Sequence, residues 1–180
     1  MKLKIEEIIK IPQGIEVVIE KNIVKIKKES LEMDLEMHGK FKTKKEGDKI
    51  ILVNEKATKN QKREIKTNAA KIRNIINGLQ EKYIYKLQVC HVHFPVSISI
   101  KDKELIIKNF LGEKKERKAK ILDGVDVKID KEMIEITSFD KEKAGQTAAN
   151  MEIATKIRKR DRRIFQDGIF ITEKCKGVRK

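Results

Sequence analysis

Strict alternation of apolar and polar residues predicts several short strands in the first half of the chain. Residues 15–26 predict a hairpin that turns at Lys21-Asn22. Residues 31–37 place four apolar side chains on one face and three acidic side chains on the other. This pattern is typical of a half-buried strand, and a further strand is predicted at 50–53 after a turn at 46–48.

After residue 53 the spacing of the apolar residues changes from every second residue to every third or fourth residue. Ile65, Ala69, Ile72, Ile76 and Leu79 follow one another at spacings of four, three, four and three. That spacing predicts one buried stripe on an amphipathic helix, with a glycine near its end.

The second half repeats this order of elements, after a connecting strand predicted from residue 83. Residues 96–107 predict a hairpin, residues 125–136 predict two further strands, and a second helix follows. The AAKIR segment of the first half pairs with ATKIR at 154–158, so we expect Ile72 and Ile157 to occupy equivalent core positions. The sequence therefore predicts an α+β fold of two tandem duplicated domains, residues 1–82 and 83–180. Each is expected to be a small antiparallel sheet packed by one long helix.

The second helix is expected to open around Gly145 and to carry a stripe of Gln146, Asn150, Ile153 and Ile157. Its amides and the free N–H groups of its first turn have two interpretations. They are either satisfied inside the domain or in contact with a partner, because a helix N-terminus attracts anions.

The charge of the chain indicates what kind of partner it binds. The chain has 180 residues and a net charge of +15. Residues 156–180 hold ten Lys or Arg and three Asp or Glu, and residues 113–120 form a second cationic run. Such a field favours a nucleic acid, with an anionic membrane surface as the second choice. Aromatic residues make up only 4%, so base stacking is not expected to dominate.

The candidate RNA-binding residues are the cations of these two runs and of the basic tail, together with one lysine and two amides of the second helix. They are Lys114, Lys115, Arg117, Lys118, Lys143, Gln146, Asn150, Lys156, Arg158, Lys159, Arg160, Arg162, Arg163, Lys174, Lys176, Arg179 and Lys180. The clustering of the cations predicts that the C-terminal domain is the RNA anchor.

Catalytic, cofactor and metal sites are not predicted. The sequence pairs no general base with a nucleophile, and its glycines fit no phosphate-binding loop. Cys90, His91 and His93 lack the convergent ligands of a structural zinc site, so we expect strand positions there. The N-terminus is not expected to be a signal peptide, and the uncharged run at 87–100 is too short to span a membrane. A cytoplasmic protein is therefore expected.

The order of the modules also carries a family resemblance. Together with GQTAAN at 145–150, KRDRRIFQDGIF at 159–170 and the loop at 109–113, it resembles the ribosomal protein L six family of the large subunit, in its archaeal and eukaryotic branch. The resemblance covers essentially the whole chain. It implies two related domains, a structural role and anchoring of the C-terminal domain on large-subunit rRNA. It also implies neighbouring large-subunit proteins, and a position near the sarcin–ricin loop and stalk base, where translational GTPases dock.

Two other functions remain open from the sequence. One is a free-standing basic RNA-binding or RNA-chaperone module, which the same charge pattern would serve. The other is an enzyme acting on RNA, which the lack of a catalytic set disfavours.

Overall fold

The computed structural model of the chain describes residues 3–20, 22–29, 31–161 and 163–175. The protein divides into two compact units, residues 1–81 (unit 1) and residues 82–180 (unit 2). Lys21 of the predicted hairpin turn lies outside the described residues.

The described residues of unit 1 form six strands and one helix. They are β1 (Leu3–Lys10), β2 (Glu16–Glu20), β3 (Ile23–Lys28), β4 (Leu31–Glu36), β5 (Lys42–Glu46), β6 (Lys49–Ala57) and α1 (Lys59–Gln80). The strands form two antiparallel sheets with the orders β1-β6-β5 and β2-β3-β4.

Helix α1 confirms the predicted amphipathic stripe. All five apolar residues of that stripe are buried, and Ile65, Ala69 and Ile72 have no exposed surface. The helix begins at a capping box, in which Thr58 accepts from the Gln61 backbone N–H and the Gln61 side chain accepts from the Thr58 backbone N–H. One core cluster gathers this stripe with the inward side chains of both sheets.

Strands β1 and β5 were not predicted, because neither shows clean alternation. Glu7 of β1 is partly buried and forms a salt bridge with Arg73 of α1 at 3.0 Å, so a charged residue occupies an inward position. Strand β5 reads KTKKE and lies at the edge of its sheet. Lysine-rich edge strands are common because exposed charge discourages pairing with other chains.

Unit 2 repeats the strand order of unit 1 and adds one strand. It contains β7 (Tyr83–Cys90), β8 (Ser97–Lys101), β9 (Glu104–Lys108), β10 (Arg117–Lys120), β11 (Val125–Asp130), β12 (Met133–Ser138), α2 (Lys141–Ala154) and β13 (Gly168–Glu173). Its antiparallel sheets have the orders β10-β9-β8 and β11-β12-β7-β13. The α+β class of two tandem sheet domains is therefore confirmed, with the strands of each unit divided between two sheets.

The predicted face of α2 was wrong. Ala144, Thr147, Ala148 and Met151 form the buried face, whereas Ile153 is 56% exposed. The helix is 14 residues long, against 22 in α1, and ends at Ala154.

Ile157 therefore follows the helix as a half-buried residue, and it is not the equivalent of Ile72 in mid-helix. The physical reason is that tertiary contacts end α2. The Arg117 guanidinium donates to the Ala154 carbonyl at 2.9 Å, and the Thr155 hydroxyl bonds back to the last turn.

Candidate nucleic-acid interface

Residues 156–167, called the cationic segment below, connect α2 to β13 and are fastened at both ends. At the start, the buried Thr155 hydroxyl accepts from the Ile169 backbone N–H at 2.9 Å. At the end, Asp167 is buried. Between these anchors the side chains of five cations are exposed: Lys156, Arg158, Lys159, Arg160 and Arg163. Arg162 lies outside the described residues.

Asp167 is the anchor that the sequence did not reveal. One carboxylate oxygen accepts from the backbone N–H of Val92 at 2.7 Å and of His93 at 3.1 Å, and the other lies 2.6 Å from His93 Nδ1. Burial by itself would raise the pKa of the Asp167 carboxyl. The hydrogen bonds from Val92 and His93 outweigh burial and hold that pKa below its usual value. Asp167 is thus a buried carboxylate that ties the cationic segment to the loop after β7.

An aromatic stack extends from this anchor. The His93 ring stacks on Phe165 with centroids 4.7 Å apart, and the Arg160 guanidinium lies 4.8 Å from the Phe165 centroid. Cation–π contact holds the arginine while leaving its charge in solvent. The stack therefore orients at least one cation of the segment.

The second cationic run divides into structural and outward-facing residues. Arg117 makes a double contact with Glu113, lies over the Phe110 ring and donates to Ala154. Its hydrogen bonds lower the pKa of the Glu113 carboxyl. Lys118 forms a salt bridge with Glu104 at 3.0 Å.

Lys114 and Lys115 are exposed and make no salt bridge within the described part of the chain. Of the four RNA-binding candidates in this run, Lys114 and Lys115 are therefore the two that no described salt bridge holds.

The N-terminus of α2 is already capped. The Asp140 carboxylate accepts from the backbone N–H groups of Glu142 and Lys143, so an anion of the protein itself occupies the first turn. Gly145 packs against Tyr85, since an added Cβ would lie 3.2 Å from the tyrosine oxygen. Of the two interpretations of this helix N-terminus, the structure therefore favours the one in which its N–H groups are satisfied inside the domain.

The two predicted amides are also used within unit 2. Gln146 donates to Asn150 at 2.9 Å, and Asn150 donates to the Lys120 carbonyl at 3.0 Å. Both contacts lie at the surface, and Lys143 and Lys174 are exposed. Lys176, Arg179 and Lys180 lie outside the described residues.

An open cavity of about 750 Å³ borders the cationic segment. Apolar side chains make up much of its lining, including Val92, Ile153, Phe165 and Phe170. Lys156 also lines the cavity, so a basic residue and an apolar surface are neighbours here.

Cys90, His91 and His93 do not converge. His91 Nε2 lies 3.6 Å from Glu132 Oε1, whereas His93 Nδ1 lies 2.6 Å from Asp167 Oδ2. Within residues 3–20, 22–29, 31–161 and 163–175, no three His, Cys, Asp or Glu side chains are grouped to hold a metal ion. In the same ranges no helix has the length and apolar character needed to cross a membrane.

Comparison with known proteins identifies the class to which this fold and these basic loops belong. Residues 94–168 match the family model described as ribosomal protein L6. The chain is 41% identical over 176 residues to the "Large ribosomal subunit protein uL6" of Methanococcus vannielii, covering 97% of this chain and 96% of the relative.

The protein of the same name from Sulfurisphaera tokodaii is 41% identical over 170 residues, covering 93% of this chain and 91% of the relative. The chain therefore belongs to the ribosomal protein L6 family, and the resemblance seen in the sequence is confirmed. Members of this family are structural proteins of the ribosome and not enzymes.

Proposed function

We propose that this protein is a structural constituent of the large ribosomal subunit in the cytoplasm, and that it binds large-subunit rRNA mainly through unit 2. Family membership supports the assignment to the subunit. One observation supports the choice of unit 2: five exposed cations stand on a segment that is fastened at Thr155 and at Asp167.

The cationic segment suits phosphate contact because its charges are exposed and its backbone ends are held. Lys156, Arg158, Lys159 and Arg160 make no salt bridge within the described part of the chain. Phosphate contacts depend on positive charge within a Debye length, about 8 Å at physiological salt. A fastened loop also loses little conformational freedom on binding, so more of the electrostatic attraction remains as affinity.

Unit 1 carries its charge differently. Salt bridges join Lys25 to Glu20 and Lys27 to Glu32, each at 3.0 Å, and so place acids beside cations on one sheet. Such pairing lowers the local positive potential that a phosphate would meet. The cations Lys156, Arg158, Lys159 and Arg160 make no such pairs within the described residues, and this contrast supports the cationic segment of unit 2 as the RNA anchor.

The neighbours of the protein are also part of the proposal. Family resemblance implies adjacent large-subunit proteins and a position near the sarcin–ricin loop and stalk base. There, docked translational GTPases would lie close to this protein. Its own role would be to brace rRNA helices by shape and charge, without chemistry.

The test removes three cations from the segment. Lys156→Ala, Arg158→Ala and Arg160→Ala together should weaken binding to transcripts of large-subunit rRNA domains. The slope of log affinity against log salt should become shallower by about three, because each lost phosphate contact removes roughly one. Filter binding from low to moderate salt measures both quantities.

The matched control replaces Lys40, Lys42 and Lys44 of unit 1, which are also exposed, with Ala. This triple variant should keep nearly the wild-type affinity and slope. Equal losses from both triple variants would contradict the choice of unit 2 as the main anchor. Co-sedimentation with large subunits through a high-salt cushion separates a ribosomal constituent from a free-standing RNA-binding module, which would remain in the supernatant.

A further inference from the structure

Phe94 is an exposed aromatic residue between two anchored neighbours. Its side chain is 45% exposed. The preceding His93 is held by Asp167 through both its backbone N–H and its ring. The carbonyl of the following Pro95 accepts from the Asn109 side chain at 3.0 Å. The backbone on each side of Phe94 is therefore fixed by residues distant in sequence.

The Phe94 ring lies beside a second loop, at Gly112. A Cβ built on Gly112 would lie 3.4 Å from the ring edge of Phe94, so the ring approaches this glycine as closely as a side chain there would allow. Gly112 has a φ of 76°, a conformation that favours glycine. The edge of the ring thus faces Gly112, and nearly half of the residue surface stays open to solvent.

The supporting loop holds an uncommon backbone conformation. Asn109 and Leu111 have φ values of 58° and 52°, and a left-handed leucine is disfavoured. Such conformations are energetically unfavourable and persist only where surrounding packing enforces them. Here the buried Phe110 and the partly buried Leu111 pack into the core of unit 2. The loop is therefore a rigid base for the exposed ring.

The charges near this ring favour an RNA partner. Lys114 and Lys115 are exposed two and three residues beyond Gly112. The ring of His93, the neighbour of Phe94, stacks on Phe165 with centroids 4.7 Å apart, and the Arg160 guanidinium lies 4.8 Å from the Phe165 centroid. The cationic segment and the Phe94 loops thus lie side by side. A backbone held by those cations would bring its bases near the ring.

We infer that Phe94 is a stacking platform for an unpaired nucleobase of the RNA bound by unit 2, an inference that rests on the proposed function. Proteins read RNA mainly at unpaired loops and bulges, where exposed bases stack on aromatic side chains. A ring that is already held in place binds a base with little additional loss of entropy. One aromatic position is sufficient for this role, even in a chain with few aromatic residues.

The test compares three substitutions at one position in the full chain. Phe94→Ala and Phe94→Leu should weaken binding to large-subunit rRNA transcripts by about tenfold to a hundredfold, the usual effect of losing one stacked base. Phe94→Tyr should bind like wild type, because it keeps the ring face. The salt slope should stay unchanged in all three, since no phosphate contact is removed.

Ile84→Ala is the matched control, because Ile84 is 43% exposed and lies in β7 of unit 2, outside the lining of the cavity beside the cationic segment. Its affinity should stay near that of wild type. A second measurement places p-azidophenylalanine at position 94 or 84 and maps the photocrosslinks. Position 94 should crosslink to one or a few unpaired nucleotides, and position 84 should not.

Three results would overturn the inference. In the first, Phe94→Ala binds as tightly as the wild type, and the affinity of the wild type falls steeply with salt. Stacking is then absent, whereas the proposed function stands. If Phe94→Leu retains full affinity, the position needs only an apolar side chain, as a protein neighbour would. If the wild type itself does not bind the transcripts, the proposed function and this inference fail together.

Discussion

Replacing Asp167 with Ala should loosen unit 2 at the point where the cationic segment joins β13. The change removes the acceptor of three donors: the backbone N–H groups of Val92 and His93, and the His93 ring nitrogen. A hydrogen bond to a charged group contributes about 1.5–3 kcal/mol to stability, and this contribution is lost when the acceptor is removed. Because Val92 and His93 are partly exposed, water can replace some of these bonds. We therefore expect a loss of about 3 kcal/mol.

Hydrogen–deuterium exchange in the full chain measures this loss where it occurs. A loss of about 3 kcal/mol corresponds to roughly hundredfold faster exchange in β7 and β13. Unit 1 is the internal control, and its exchange in α1 and β6 should not change. Exchange in β13 within about threefold of wild type would refute the argument that Asp167 anchors this region.

The charge of Asp167 adds a pH dependence with a defined sign. The folded protein holds the pKa of this carboxyl below its usual value, so the unfolded chain binds the proton more readily. Its stabilising contribution is present above the unfolded pKa of about 3.9 and is lost as the pH falls through the lower folded pKa. Asp167→Asn should remove this part of the acid dependence of exchange in β13. An acid profile identical to that of wild type would contradict the assignment.

Two further substitutions test the packing of each unit. Ile72→Asp should unfold unit 1 while unit 2 keeps its protection from exchange, because an unpaired charge would replace a fully buried side chain; a folded unit 1 in this variant would contradict the assignment of the stripe. Thr155→Val should destabilise unit 2 by about 1–3 kcal/mol, since the Ile169 N–H would lose its acceptor. Chemical denaturation followed by exchange at β13 measures this loss, and an unchanged midpoint would show that water replaces the hydroxyl.

The amino-acid sequence by itself determined those helices and strands whose apolar residues recur at the spacing typical of that element. The stripe from Ile65 to Leu79 is buried as predicted, because a helix of 22 residues must turn one face to the core. The alternating strands were recognised for the same reason, and the repeated order of strands in the two halves revealed the duplication. The cationic runs and the family resemblance were likewise readable without a structure.

Only the tertiary structure decided the role of each polar residue. Asp167 is a buried anchor, and Arg117, grouped with the RNA-binding cations, closes the end of α2. Both depend on partners far away in sequence, 74 or 75 residues for the backbone bonds of Asp167 and 37 for the bond from Arg117 to Ala154. A local pattern records the residue's charge and its neighbours along the chain. Its hydrogen-bond partners exist only once the strands are paired and the helix is packed.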